Sequence, residues 1–214
     1  MSIATPCVRR TAIAITIVTA AALWLGTSVS ARETLRPGQP APEFSATDTT
    51  GKAVTLSALK GKTVVLEWSN HDCPYVAKHY GTDTMQKLQR DATAKGVVWL
   101  TVLSSARGTQ GHVEALEADK LTADRKAAPS AVLLDAGGSM GRLYGATTTP
   151  HMFVIDQAGR LAYMGAIDDK PSTARDTVKT ARPYVREALD ALAEGKPVAT
   201  SSTRPYGCSV KYGS

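Results

Sequence analysis

Two short stretches hold residue types capable of covalent chemistry. The first is Ser69-Asn70-His71-Asp72-Cys73-Pro74, which follows the apolar, β-branched run Thr63-Val64-Val65-Leu66-Glu67-Trp68 and precedes a helical pattern. A cysteine between a buried strand and a helix start sits where unpaired N–H groups and the helix dipole favour an anion. The thiolate is the attacking form of cysteine, so Cys73 is the expected nucleophile; the alternative is a small buried hydrophobe. The second stretch is Thr147-Thr148-Thr149-Pro150, directly before His151-Met152-Phe153-Val154-Ile155. Proline cannot donate to a strand ladder, so Pro150 is expected either in a cis bond to Thr149 or as a trans residue that starts the strand.

His71, two residues before Cys73, and His151, next after Pro150, are expected to approach the thiol. There they would lower its pKa or act as general acid to a leaving thiolate. The same residues admit a second class of function, a module binding copper or zinc through Cys73, His71 and His151, although no dense metal-ligand spacing supports it. His79 and His112 take no role. Glu67, inside an apolar strand, reads as a satisfied or edge carboxylate or as a proton relay near Cys73.

The elements around these residues alternate strand and helix. Ala41–Phe44 and Ala53–Leu56, joined by a turn at Thr49–Lys52, read as a hairpin that leads into the domain without joining its core. The helical pattern from Pro74 runs to Gly96 with a break expected at Gly81, and Pro74 suits the first helical position because its missing N–H would be unpaired there. Val97–Leu103 is a second buried strand, so strand, helix and strand form a βαβ unit with parallel strands. A helix over Val113–Lys126, a strand over Ala131–Leu134, a short helix over Met140–Tyr144, a hairpin of His151–Ile155 with Arg160–Gly165, and a helix over Val185–Ala193 follow. Beyond Gly195-Lys196-Pro197 runs a flexible-looking tail rich in Ser and Thr, ending in Arg204-Pro205-Tyr206-Gly207-Cys208.

The 214 residues are 43% hydrophobic and 21% charged, an ordinary globular composition that excludes long disorder. Thr11–Gly26 is uncharged and largely apolar, follows Arg9-Arg10 and precedes the small residues Val29-Ser30-Ala31, the pattern of an export signal cleaved after Ala31. Its apolar stretch of ~16 residues is shorter than the ~20 that span a bilayer. Residues 1–31 are thus expected to be a signal peptide and 32–214 one domain, periplasmic or secreted, with no stable membrane association after cleavage. Loss of Arg9 and Arg10 lowers the formal charge from +6 to +4, and the remaining charges are dispersed, which argues against nucleic acid as a partner. Cys7 leaves with the signal, so Cys73 and Cys208 form either a disulfide or a redox pair in an oxidising compartment.

The leader with Pro42-Glu43-Phe44 and Gly51-Lys52, the strand feeding Cys73-Pro74 and the Thr149-Pro150 step resemble the thioredoxin superfamily, specifically its redoxin branch. More narrowly, Asn70–Val76, Tyr163-Met164-Gly165 with Asp168-Asp169, and Gly207–Lys211 resemble a bacterial peroxiredoxin-like or thioredoxin-like group. The resemblance covers about residues 37 to 194. It implies a thioredoxin-like α/β fold with a mixed central sheet flanked by helices, an N-terminal hairpin and a C-terminal tail. It further implies a cis-Pro150 facing Cys73, with Pro74, Tyr75, Thr149, Pro150 and His151 forming a substrate platform.

The departures from these families restrict the mechanism. Val76 replaces the second cysteine of C-x-x-C, and Leu66 and Asn70 stand where peroxiredoxins carry Pro and Thr. Cys73-Pro74-Tyr75-Val76 is similar to a glutaredoxin C-P-Y-C lacking its last cysteine. The expected activity is therefore that of a thiol-dependent oxidoreductase: Cys73 attacks a protein or small-molecule disulfide, or a hydroperoxide, and Cys208 serves as a distant resolving thiol. An external thiol reductant recycles the pair. No cofactor is expected.

Overall fold

The computed structural model describes residues 1–4 and 35–213, so the expected signal segment and its cleavage site lie outside the described residues. Residues 35–213 belong to one compact unit. Its centre is the strand β3 (Val64–Trp68), buried along its whole length, as an apolar β-branched run with no polar face requires. It pairs in parallel with β4 (Val98–Leu103), which pairs in parallel with β5 (Ala131–Leu134). On its other side β3 pairs antiparallel with β7 (His151–Ile155), and β7 with β8 (Leu161–Gly165).

The N-terminal hairpin departs from its expected place. β1 (Ser45–Asp48) and β2 (Ala53–Thr55) pair with each other, and β1 also pairs with β5, giving one seven-stranded sheet in the order β2-β1-β5-β4-β3-β7-β8. The pair is thus a sheet edge rather than a detached leader. Phe44, just before β1, packs into the same core cluster as Trp68 and Tyr144.

Side chains alternate across the sheet with the strand period of two. Val65, Trp99, Met152 and Val154 face one layer, formed with α1 (Pro74–Tyr80), α2 (Thr84–Ala94) and α5 (Tyr184–Ala193). Val64, Leu66, Trp68, Phe153 and Ile155 face the other, with α4 (Ser139–Tyr144). The helical pattern after Cys73 does break at Gly81, which caps α1, and the chain turns through Asp83 in the left-handed region (φ 57°) before α2 begins. α3 (Ala115–Asp124) is shorter than the expected Val113–Lys126; Val113 is buried ahead of it. No helix among the described residues is long and apolar enough to cross a membrane.

The region after α5 is not a loose tail. β6 (Thr148–Thr149) and β9 (Cys208–Ser209) form a separate two-stranded antiparallel sheet, pairing Thr148 with Ser209 and Thr149 with Cys208. Upstream, Met164 N–H donates to Ser201 O and Thr203 N–H to Met164 O; downstream, Val210 N–H donates to Thr147 O and Ala106 N–H to Lys211 O. The Tyr212 hydroxyl donates to Ala146 O at 2.7 Å and the Arg142 guanidinium lies over its ring. The final segment is docked from Ser201 to Gly213.

Candidate active site

Cys73 is the N-cap of α1, at the C-terminal side of β3, with Pro74 at the first helical position. β3 and β4 run in parallel towards this end, so the fold delivers Cys73 to the mouth of the sheet, and the helix start supplies N–H groups to its sulfur. Thr149 and Pro150, joined by a cis peptide bond, enter β7 from the opposite side. Cys73 Sγ lies 3.0 Å from Thr149 O. The residue is fully buried, and Cys208, half-buried, is carried over it by β9.

Both cysteines are free thiols, and each shifts the titration of the other. Burial pushes the Cys73 thiol up, but hydrogen bonds from the Cys208 thiol, the Thr149 side chain and the Val76 and Cys208 N–H groups outweigh it. Cys73 therefore sits below the ordinary thiol value. Cys208 takes the opposite course: burial, its bond to Cys73 and the Cys73 charge push it up to about 11, with Lys211 opposing. The two thiols are thus ordered, Cys73 below the ordinary value and Cys208 above it, while in its protonated form Cys73 Sγ donates to Thr149 O.

A buried polar cluster fixes β9 from the α1 side. The Tyr206 hydroxyl donates to Asp168 Oδ1 through a very short bond and accepts from Lys78 Nζ at 3.3 Å, while His79 Nε2 lies 3.2 Å from the same oxygen. Lys78 Nζ also donates to Lys170 O at 2.8 Å and stands 3.8 Å from Asp168 Oδ2. The ring of Tyr206 packs near that of Tyr75, with centroids 5.8 Å apart. Cys73, Tyr75, Lys78 and His79 all belong to α1 or its cap, so the helix that presents the nucleophile also grips the strand that carries Cys208. Burial drives the His79 pKa down to about 4, with Asp168 opposing and Lys78 assisting, and its Nδ1 has no hydrogen-bond partner among the described residues.

The expected site residues separate accordingly. Cys73, Thr149, Pro150 and Cys208 are brought together; Pro74 is exposed beside them and Tyr75 half-buried. The histidines do not join them as expected. The His71 ring is turned to Asp72, 3.2 Å from Oδ1. His151 is buried with its ring against Phe153, and its Nδ1 accepts from Thr147 N–H. Neither is among the groups that bond Cys73, and burial lowers the His151 pKa to about 4. No group of three or more His, Cys, Asp or Glu among the described residues is arranged to hold a metal ion, so the copper or zinc set of Cys73, His71 and His151 is not assembled.

Glu67 is a satisfied carboxylate in a central strand, not an edge one. It accepts from the Tyr80 hydroxyl, Gln89 Nε2, Trp99 Nε1 and Thr101 Oγ1 at 2.9 to 3.2 Å. Burial nevertheless holds its pKa above the usual carboxylate value against all four bonds.

Sequence reasoning missed Tyr206, Lys78, His79 and Asp168 as a cluster and Gly207 as a contact. Gly207 has φ 139°, and a Cβ built there would lie 1.9 Å from Thr149 O, so only glycine lets β9 approach the Thr149-Pro150 backbone this closely. Its signal was the Tyr206-Gly207-Cys208 order in a segment read as tail.

A mixed sheet flanked by helices, a cysteine capping the helix after the central strand, and a cis-proline opposite it define a thioredoxin-like protein. Within that class the chain belongs to the Redoxin family, whose model matches residues 36–181. No curated protein matches it. Among solved structures, an uncharacterised conserved protein from Geobacillus kaustophilus is 25% identical with a TM-score of 0.71, covering 84% of this chain and 93% of that one. A hypothetical protein from Sinorhizobium meliloti 1021 is 24% identical with a TM-score of 0.73, covering 85% and 97%. A Chlorobium tepidum chain provisionally assigned as a thiol:disulfide interchange protein DsbE is 26% identical with a TM-score of 0.53, covering 75% and 97%.

Proposed function

We propose that the protein is an exported thiol-disulfide oxidoreductase whose redox centre is the pair Cys73 and Cys208. The observation that carries the reading is the meeting of two free cysteines at the β6–β9 pairing, where Thr149, whose carbonyl accepts from Cys73 Sγ at 3.0 Å, stands opposite Cys208. Loss of two electrons and two protons joins them as a disulfide, while a substrate disulfide becomes two thiols; an external thiol reductant reverses the change. Membership of the Redoxin family and the likeness to the Chlorobium tepidum chain support exchange with disulfides in general. The export pattern of residues 1–31 supports a periplasmic or secreted domain of residues 32–214.

Non-reducing peptide mapping of the reduced protein, before and after an equivalent of oxidised dithiothreitol or of peroxide, tests the reading. A Cys73–Cys208 crosslink is expected with the disulfide reagent. If the two thiols never join under either oxidant, the pair is not a redox centre. Peroxide oxidation of Cys73 much faster than that of free cysteine would assign peroxide reduction to the same pair.

A further inference from the structure

The chain's own final strand occupies the edge beside the cis-proline. β9 takes the hydrogen-bonding edge of Thr148 and Thr149, Gly207 lies against Thr149 O, and Val210 N–H donates to Thr147 O. Cys73 beneath is fully buried, whereas Cys208 is half-buried on the strand that covers it. The docked strand is held by the Tyr206, Asp168, Lys78 and His79 cluster on one side and by Tyr212 on the other. A cavity of about 570 Å³ runs alongside, lined by Thr148, Asp168, Asp169, Arg204, Tyr206 and Gly207. Such a volume takes a small-molecule ligand, its lining reaches Gly207, next in the chain to Cys208, and it offers the Arg204 guanidinium and the Asp169 carboxylate.

We propose that exchange with the surroundings runs through Cys208 and not through Cys73: a low-molecular-weight, zwitterionic thiol attacks the Cys208 sulfur, and the mixed disulfide is carried on β9. The inference rests on the redox pair described above and fixes which of its sulfurs meets the partner.

Access and leaving-group chemistry lead to the same sulfur. Cys73 is fully buried beneath β9, so a thiolate reaches it only once β9 is lifted from β6, whereas Cys208 is half-buried with the strand in place. A partner polypeptide that would bind by strand addition finds that edge filled, so a partner is recognised through its sulfur and the groups beside it. Exchange is faster when the departing thiol has the lower pKa, and of the two sulfurs Cys73 is the one so tuned.

The first step forms a bond between the incoming sulfur and Cys208 Sγ and breaks the Cys73–Cys208 bond, whose electron pair leaves on Cys73 as thiolate. A second small thiolate attacks the partner sulfur of the mixed disulfide. It releases Cys208, which takes up a proton, and yields the small-molecule disulfide. Two thiols have then given two electrons to the pair.

The test uses the full chain and glutathione. Disulfide-form wild type is mixed with reduced glutathione, quenched in acid and mapped. The mixed disulfide is followed by mass, and the transient wild-type adduct is expected on Cys208. An adduct on Cys73 in the wild type, which needs no altered residue, overturns the proposal while leaving the redox pair intact. Failure of the wild type to form any Cys73–Cys208 crosslink defeats the pair itself. A cysteine peptide of protein length that reduces the wild-type disulfide faster than glutathione does at equal thiol concentration overturns the assignment to a small thiol.

Discussion

Thr149 and Cys208 stand opposite each other in the β6–β9 pairing, and Thr149 touches both cysteines: its carbonyl accepts from Cys73 Sγ at 3.0 Å and its hydroxyl donates to the backbone carbonyl of Cys208 at 3.5 Å. Strand pairing and the meeting of the two sulfurs are therefore a single geometric variable. Whatever lifts β9 also separates the thiols.

Gly207→Ala tests that linkage. The added methyl would meet Thr149 O, a backbone atom that cannot swing aside, and φ 139° is itself unfavourable for alanine. The expected result is slower Cys73–Cys208 crosslinking and faster alkylation of Cys73 by iodoacetamide, each by about tenfold, the equivalent of roughly 1.4 kcal/mol. Unchanged alkylation would mean that β9 does not shield Cys73.

Cys208→Ala removes a donor to the Cys73 sulfur. The alkylation rate of Cys73 against pH should then show a midpoint above that of the wild type, because the thiolate has lost a hydrogen bond. Cys208→Ser, which keeps a hydroxyl donor, should fall between them. A midpoint that drops in Cys208→Ala would refute the stated cause.

Tyr206→Phe keeps the ring against Tyr75 but deletes the hydroxyl that joins Asp168, Lys78 and His79. Leaving buried polar groups short of a partner costs about 1–3 kcal/mol. The reduced protein should lose that much in urea unfolding, and crosslinking should slow as the register of β9 loosens. A variant as stable as the wild type would show that the cluster does not hold the strand.

His79 and His151 give the fold a defined acid sensitivity. Unfolded, each imidazole protonates near 6.5; folded, burial lowers both to about 4, so the unfolded chain binds more protons in between. Stability is therefore expected to fall as pH drops from about 6.5 towards 4, by up to about 3 kcal/mol for each histidine. Urea unfolding of the reduced protein across this range checks it, and His151→Gln should flatten part of the slope. Equal slopes in variant and wild type would remove His151 as a source.

Glu67 contributes the opposite slope. Its folded pKa is raised by burial, so the folded state loses stability as pH climbs above the usual carboxylate value of 4.5 towards the raised one. Glu67→Gln removes the buried charge and should be more stable than the wild type at the upper end of that window. A loss of stability at every pH would mean that the four bonds to the carboxylate matter more than its charge.

The Cys73 half of the site was legible because its signals are local: a β-branched run, a cysteine and a proline at a helix start need no distant contact to be read. The same holds for the break at Gly81 and the start of β7 after Thr149-Pro150. The Cys208 half was not. β9 is two residues long and becomes a strand only because β6 offers it an edge, so Arg204–Cys208 looks like a loop in isolation. Lys78 and His79 were passed over because charged residues on a helix usually face water, and here Asp168 and Tyr206 bury them. His71 and His151 misled for the converse reason: proximity in sequence to Cys73 and Pro150 did not fix where the rings point.

The order of synthesis gives the final strand a further meaning. Cys73 is made long before Cys208, and α1, β4 and β7 are complete before β9 exists. Cys73 and the elements around it therefore precede the strand that covers it, so the cover is the contribution of a distant stretch of chain and not of the segment that carries the nucleophile.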